Sequence, residues 1–304
     1  MLTNGYNSFM NIINNLNNGV KYMLIASISF AFMGAFAKLA SQHMSSLEVV
    51  FFRSLFGVFI IGFAVIKKPM THIGGRPFLL IFRGTMGFTA LLAYFYNIQN
   101  IPLGDAVTFS KTAPIFTAIF AWLFLKEKLS LSAWLAVFIG FGGILLITQP
   151  TGIGFTKYDI LGIFSGVGAA LAYTSVRELK KYYDTRAIVL SFTLIGTIGP
   201  IILFIISNFL HVESLDFMLG KFIMPSGIVW IYIIGLGLLG TLSQVFMTKA
   251  YGETKAGIVG AISYTNIVFA IFIGMMLGDK FPDLITIVGI CLIIIAGIVV
   301  ARTK

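Results

Sequence analysis

The chain has 304 residues, of which 58% are hydrophobic and 11% charged, under half the charged share of an ordinary soluble domain. A mean hydropathy of +0.97 agrees, and together these values exclude a soluble globular enzyme and a disordered chain. They leave an all-α polytopic membrane protein. The net charge of +10 would suit a nucleic-acid partner if it were clustered, but its distribution points elsewhere.

Residues 1–19 carry no charge and seven Asn; with no positive stretch ahead of an apolar one they do not resemble a secretory signal, and they read as a mobile cytoplasmic tail. Ten apolar runs follow, each near the 20 residues a bilayer requires: about 20–41, 46–66, 78–98, 104–125, 131–148, 159–177, 187–207, 227–248, 256–277 and 284–301. The joining loops are mostly short, the longest at about 208–226. No segment is left for a soluble domain, so function is expected inside the helix bundle.

Orientation follows from Lys and Arg in the loops. With the N-terminus in the cytoplasm, the cytoplasmic segments hold Lys21, Lys67, Lys68, Arg76, Lys126, Lys128, Arg177, Lys180, Lys181, Arg186, Lys249, Lys255, Arg302 and Lys304, 14 in all. The outer loops hold three: Lys157, Lys221 and Lys280. Both termini are therefore expected in the cytoplasm, with the chain in the inner or plasma membrane. The positive charge is a topology signal, and a nucleic-acid partner is not expected.

The two halves resemble each other at an offset near 152. The fourth span reads Ala113-Pro114-Ile115-Phe116-Thr117-Ala118-Ile119-Phe120 and exits through Lys126-Glu127-Lys128; the ninth reads Thr265-Asn266-Ile267-Val268-Phe269-Ala270-Ile271-Phe272 and exits through Gly278-Asp279-Lys280. A Gly-rich last span follows each. Spans 1 and 6 match more weakly, through Ala31-Phe32 and Ala172-Tyr173. Five spans per repeat is an odd number, so the second repeat (159–301) is inverted in the membrane relative to the first (20–148), an arrangement common among secondary transporters.

These features resemble the EamA branch of the drug/metabolite transporter superfamily: ten spans, two five-helix halves, the Ala113-Pro114 motif and the Leu125-Lys126-Glu127-Lys128 exit. The resemblance covers about 20–301 and implies a transporter with a central cavity bordered by spans 1, 3, 4, 6, 8 and 9. Phe51-Phe52-Arg53 and Arg76-Pro77 leading to Arg83-Gly84 are loosely similar to S-adenosylmethionine uptake transporters. Asn266 stands where that pattern often has Pro in the ninth span.

Ionisable groups within spans are costly unless paired or wetted, which makes each a functional candidate. Arg53 and Lys111 each lie about seven residues, roughly 10 Å of rise, from the outer surface. Two cations at matched depth with no deep carboxylate suit an anionic group on the substrate. Pro114 distorts the fourth helix just after Lys111. Tyr94, Tyr96, Tyr173, Gln244, Tyr264 and Asn266 are polar-tipped residues that could complete the cavity. Arg83 reads as snorkelling to the inner interface, Lys38 and Glu48 as a surface ion pair, and Phe30 and Trp122 as packing or lipid-facing groups. The Gly runs 140–143, Gly162/Gly166 and 235–240 read as close helix contacts.

His43, His72 and His211 show no ligand spacing, and Cys291 in its apolar run reads as a buried thiol, so no metal is assigned. No Gly-x-x-x-x-Gly-Lys-Ser/Thr pattern occurs, and no cofactor is expected. Glu48, the sole candidate for a proton-coupling acid, is shallow, so exchange or facilitated transport is as well supported as proton symport. The expected function is secondary transport of a small anionic or zwitterionic, amino-acid-like metabolite by alternating access, with a small-molecule substrate and the bilayer as partners. Two alternatives stay open: a flippase for a lipid-linked metabolite on the same fold, and a membrane-embedded enzyme, for which no catalytic constellation is visible. Monomer and homodimer are both compatible with the sequence.

The charge distribution makes a direct prediction. A reporter active in the cytoplasm should work when fused after Lys304 and fail when inserted in the 208–226 loop; activity from the loop insertion would refute the ten-span topology.

Overall fold

The computed structural model describes residues 17–72, 74–101, 106, 109–148, 156–210, 212, 215–220, 222–276 and 282–301. Residues 1–16 of the expected tail and the Asp279-Lys280 exit of the ninth span lie outside them. Among the described residues the chain is helical: α1 (Asn18–Ala40), α2 (Ser46–Lys67), α3 (Pro77–Asn100), α4 (Ala113–Leu125), α5 (Leu131–Thr148), α6 (Lys157–Leu179), α7 (Thr185–Ile206), α8 (Val229–Glu253), α9 (Ala256–Ile262), α10 (Thr265–Met276) and α11 (Leu284–Ala301). Seven helices are long and apolar enough to cross a membrane, one of them formed by α9 and α10 together; α4, α5 and α11 contribute shorter apolar stretches. The protein is thus an all-helical multi-pass membrane protein.

Local signals set the helix starts. Ser45 and Glu48 form a reciprocal capping box at α2, and Thr156 and Asp159 form another at α6; each cap is worth about 1 kcal/mol. Asn17 caps α1 through Gly19 N and also accepts a hydrogen bond from the Thr254 hydroxyl at the end of α8, 2.8 Å away. Two expected spans are interrupted. The chain turns at Lys111–Thr112 before α4 and at Ser263–Tyr264 between α9 and α10, positions that differ by 152. Tight i→i−3 bonds mark both turns: Thr112 N to Phe109 O at 3.1 Å, and Asn266 N to Ser263 O at 3.2 Å. The second interruption needs no proline.

The helices pack as α1 on α8, α3 on α6, α2 on α7, α5 on α11 and α4 on α9, with α2 also against α8 and α3 against α7. Glycines allow several of these approaches. A Cβ on Gly237 would meet Phe56 at 2.4 Å, and one on Gly162 would meet Phe109 at 2.4 Å. At the α5–α11 crossing, a Cβ on Gly143 would lie 2.7 Å from the Gly289 carbonyl, and one on Gly289 would lie 2.6 Å from that of Gly143.

Some sequence expectations are corrected here. Glu48 is 1% exposed and does not pair with Lys38: its carboxylate accepts from Ser45 N and, at 2.7 Å, from Ile223 N. Cys291 is exposed on the outward face of α11 rather than buried. Trp122, 57% exposed, does face outward.

The glycine contact yields a stability prediction. Gly289→Val should force α5 and α11 apart and lower the thermal unfolding midpoint in detergent, as overpacking costs about 1–3 kcal/mol. Gly142→Ala, where an added Cβ meets nothing within 4 Å, should leave it unchanged; equal midpoints for both variants would contradict the close crossing.

Candidate functional site

A cavity of about 480 Å³ runs down the centre of the bundle. Its walls come from α1, α2, α3, α6, α7, α8 and α10 and from the broken segment leading into α4. Gly34, Lys38 and Gln42, all exposed, form the rim beside the α1–α2 turn. At the other end Met23, Met247 and Tyr251 are at most 2% exposed, and Tyr251 stacks on Tyr173 with ring centroids 5.4 Å apart. Beyond this floor lies a polar latch. Arg177 Nε pairs with Glu127 Oε1 at 3.1 Å, and Arg177 Nη1 donates to Gly252 O at 2.9 Å. Glu127 Oε2 accepts from Ala256 N at 3.0 Å, at the start of α9. The cavity is therefore open at the Lys38 end and closed at the Glu127 end.

Arg53, Lys111, Tyr94, Tyr173, Gln244 and Asn266 all line the cavity, with Pro114 beside them. Lys111 Nζ donates to Asn266 Oδ1 at 2.9 Å, while Asn266 Nδ2 donates to Ser27 O at 3.0 Å. One residue from each helix interruption thus meets the other. Arg53 is 3% exposed; its Nε makes a 3.4 Å contact to Met33 Sδ, and its guanidinium lies 5.3 Å from the centroid of the Phe192 ring.

Tyr264 does not join them. It is fully buried, packed among Gly140 of α5 and Ala296 of α11. The cavity stripe of this span is Ser263, Asn266, Ile267, Ala270 and Ile273, and Tyr264 is off it by a helical step of about 100°. Tyr96 also points elsewhere: its hydroxyl donates to Asp216 Oδ2 at 2.6 Å. Burial pushes the Asp216 carboxyl up, but hydrogen bonds from Lys157 and Tyr96 outweigh it and hold the group below its usual range. Phe30, expected as packing, lines the cavity.

Arg83 is the main residue the sequence reading misplaced. It is 1% exposed and lines the cavity instead of snorkelling to the interface. Its guanidinium lies 4.6 Å from the centroid of the same Phe192 ring, and its Nε and Nη1 have no hydrogen-bond partner among the described residues. A helical stripe would have found it, because Arg83, Gly87, Ala90, Leu91, Tyr94 and Ile98 follow one face at intervals of three and four. Among the described lining residues the cavity carries Lys38, Arg53, Arg83 and Lys111 and no Asp or Glu. Such a chamber can attract an anion and repel a cation.

Apolar helices thus enclose a largely apolar chamber that carries four cations and opens at one end, an arrangement suited to a membrane transporter. The EamA-like transporter family model matches residues 17–149 and again 156–302, so the chain belongs to that family. It is 37% identical to an uncharacterized transporter of Helicobacter pylori (strain J99), over 93% of this chain and 94% of that protein. It is 32% identical to the pseudopaline exporter CntI of Pseudomonas aeruginosa, over 96% of this chain and 99% of the exporter. The S-adenosylmethionine uptake transporter of Rickettsia conorii is 24% identical, over 91% and 90% of the two chains.

The Tyr264 hydroxyl is buried without a hydrogen-bond partner among the described residues, a state that costs about 1–3 kcal/mol. Tyr264→Phe should therefore retain transport and keep or raise the thermal midpoint. Loss of transport with an unchanged fold would return Tyr264 to the site.

Proposed function

We propose that the protein is a secondary transporter that carries a small anionic or zwitterionic organic metabolite by alternating access. Its two inverted five-helix repeats are 20–148 and 159–301, both termini are cytoplasmic, and the cavity opens outward. The packing supports this reading: exchanging the first five spans with the last five converts the α1–α8 contact into α3–α6 and the α2–α8 contact into α3–α7. The two helix interruptions exchange likewise, at the same offset.

One observation carries the substrate assignment. Three cations, Arg53, Arg83 and Lys111, sit inside one chamber with a fourth, Lys38, at its rim and no lining carboxylate among the described residues. Placing a further positive charge there, in a medium of low dielectric, costs several kcal/mol, whereas a carboxylate gains charge-assisted hydrogen bonds. Lys111 uses one of its three donors on Asn266, which leaves two for a ligand. Gln244, with a buried Nε2 that has no partner among the described residues, supplies a neutral donor, and Tyr94 and Tyr173 supply rings that can face the cationic part of a zwitterion. The pseudopaline exporter and the S-adenosylmethionine transporter among the relatives are consistent with organic metabolite cargo.

A thermal-shift screen of the purified protein against metabolites should return anions and zwitterions, since a ligand bound to the folded state raises its stability. For the best hit, Lys111→Gln should weaken binding roughly 10- to 100-fold, the value of one hydrogen bond to a charged group, with expression intact. Stabilisation by purely cationic compounds, with affinity unchanged in Lys111→Gln, would overturn the assignment.

A further inference from the structure

The cations inside the cavity are held by different partners. Lys111 belongs to the interruption before α4 and is held by Asn266 of α10, which is tied to the Ser27 carbonyl of α1. Arg53 and Arg83 stand on α2 and α3 and share the Phe192 ring of α7. Among the described residues, these hydrogen bonds and ring contacts share no residue between the two sets. Their tie points on α1, Ser27 and Met33, are six residues apart, about 9 Å of helical rise.

Among the described residues the guanidinium pair has no carboxylate partner: Arg83 Nε and Nη1 make no hydrogen bond while fully buried, and Arg53 Nε has only the weak acceptor Met33 Sδ. Glycines make room for both groups: a Cβ on Gly87 would crowd Arg83 Nη1 at 3.1 Å, and one on Gly240 would crowd Arg53 Nε at 3.1 Å. Two like charges share one aromatic ring, which can stabilise a cation but cannot cancel the repulsion between two. The planar donor fork of each guanidinium matches the oxygens of an oxyacid.

From this geometry we infer that Arg53 and Arg83 form a second anion subsite, separate from Lys111 and Asn266, and that the transported molecule carries two oxyanionic groups, one for each subsite. This rests on the anionic-cargo reading above and narrows it. A molecule with a single carboxylate would satisfy one subsite and leave the other repelling itself. The second anionic group is the feature that would distinguish cargo from the many monoanions around it.

The test uses the full chain purified in detergent, with linear α,ω-dicarboxylates from succinate to suberate and their monomethyl esters as probes. Thermal midpoints are read against ligand concentration. At the best chain length, the diacid should bind roughly 10- to 100-fold more tightly than its monoester. Arg83→Gln and Lys111→Gln should each weaken diacid binding and bring it close to that of the monoester, since each variant leaves one subsite intact. Arg83→Lys, which keeps the charge but loses the fork, should fall between. Equal binding of diacid and monoester at every chain length would overturn the two-subsite inference; if Lys111→Gln still weakened both, the anionic-cargo reading would stand without it. Binding of neither class would remove both readings. Should Arg83→Gln fail to fold, the diacid-to-monoester ratio of the unmodified chain decides.

Discussion

The hydrogen bond from Lys111 to Asn266 joins the two places where a spanning helix is broken, and the rest of the site is arranged around it. A continuous helix satisfies its own backbone and presents only side chains to a cavity. An interrupted one frees backbone groups and redirects the chain, which is tolerated at membrane depth only where protein or water covers it. Here each interruption covers the other. Thr112 and Ser263 return their hydroxyls to local carbonyls, Phe109 O at 2.6 Å and Gly260 O at 2.6 Å, and the Lys111 ammonium bridges to Asn266. The result is a polar centre in a structure that is otherwise apolar across its width, with the cavity above it.

The closed end depends on an unusual backbone step. Lys126 has φ 55°, in the left-handed region that non-glycine residues rarely adopt. This single step ends α4 and lets Glu127 N donate back to Ala121 O at 3.1 Å. The Glu127 carboxylate is thereby aimed across the bundle to Arg177 and to the first N–H group of α9. Arg177 reaches the last turn of α8 in turn. Glu127 and Arg177 together tie the ends of four helices, and the pair is partly shielded from water, which makes it less sensitive to salt than an exposed one. The Leu125-Lys126-Glu127-Lys128 exit has a structural reason in this latch: the turn positions the acid.

Much of this was legible before any coordinates. Apolar runs of bilayer length located the helices, and charges within those runs located Arg53 and Lys111, because a cation in a membrane span needs a reason to be there. Depth along a helix is readable from residue count. Azimuth is harder, and the misplacements of Arg83 and Tyr264 are azimuthal. Arg83 lies near one end of α3, where a long basic side chain can snorkel, yet it shares a stripe with Tyr94. Tyr264 follows Ser263 at the interruption but faces α5 and α11. Glu48 was misread for another reason: a residue at a helix start can be consumed by its own cap, and Glu48 is held by Ser45 and Ile223 rather than by a lysine.

The distribution of chemistry between the two halves constrains how such a site could work. Arg53, Arg83 and Lys111 all come from 20–148, whereas Tyr173, Phe192, Gln244 and Asn266 come from 159–301. One half supplies the charge and the other supplies rings and amides. Under the proposed alternating access, cargo whose anionic groups occupy the Arg53–Arg83 and Lys111 subsites stays with the first half as the second rocks across it. The contacts that must then change are those made across the divide: Lys111 with Asn266, and the two guanidiniums with Phe192. An anion that occupies the cation donors competes directly for the Lys111 ammonium and offsets the repulsion over the Phe192 ring. Binding would thereby loosen links between the halves, so that in the proposed alternating-access cycle cargo itself lowers the cost of the transition. The proposed inverted repeat needs equal shape in its halves for this, but not equal chemistry: Asn266, at the position 152 residues after Pro114, supplies the amide that holds Lys111.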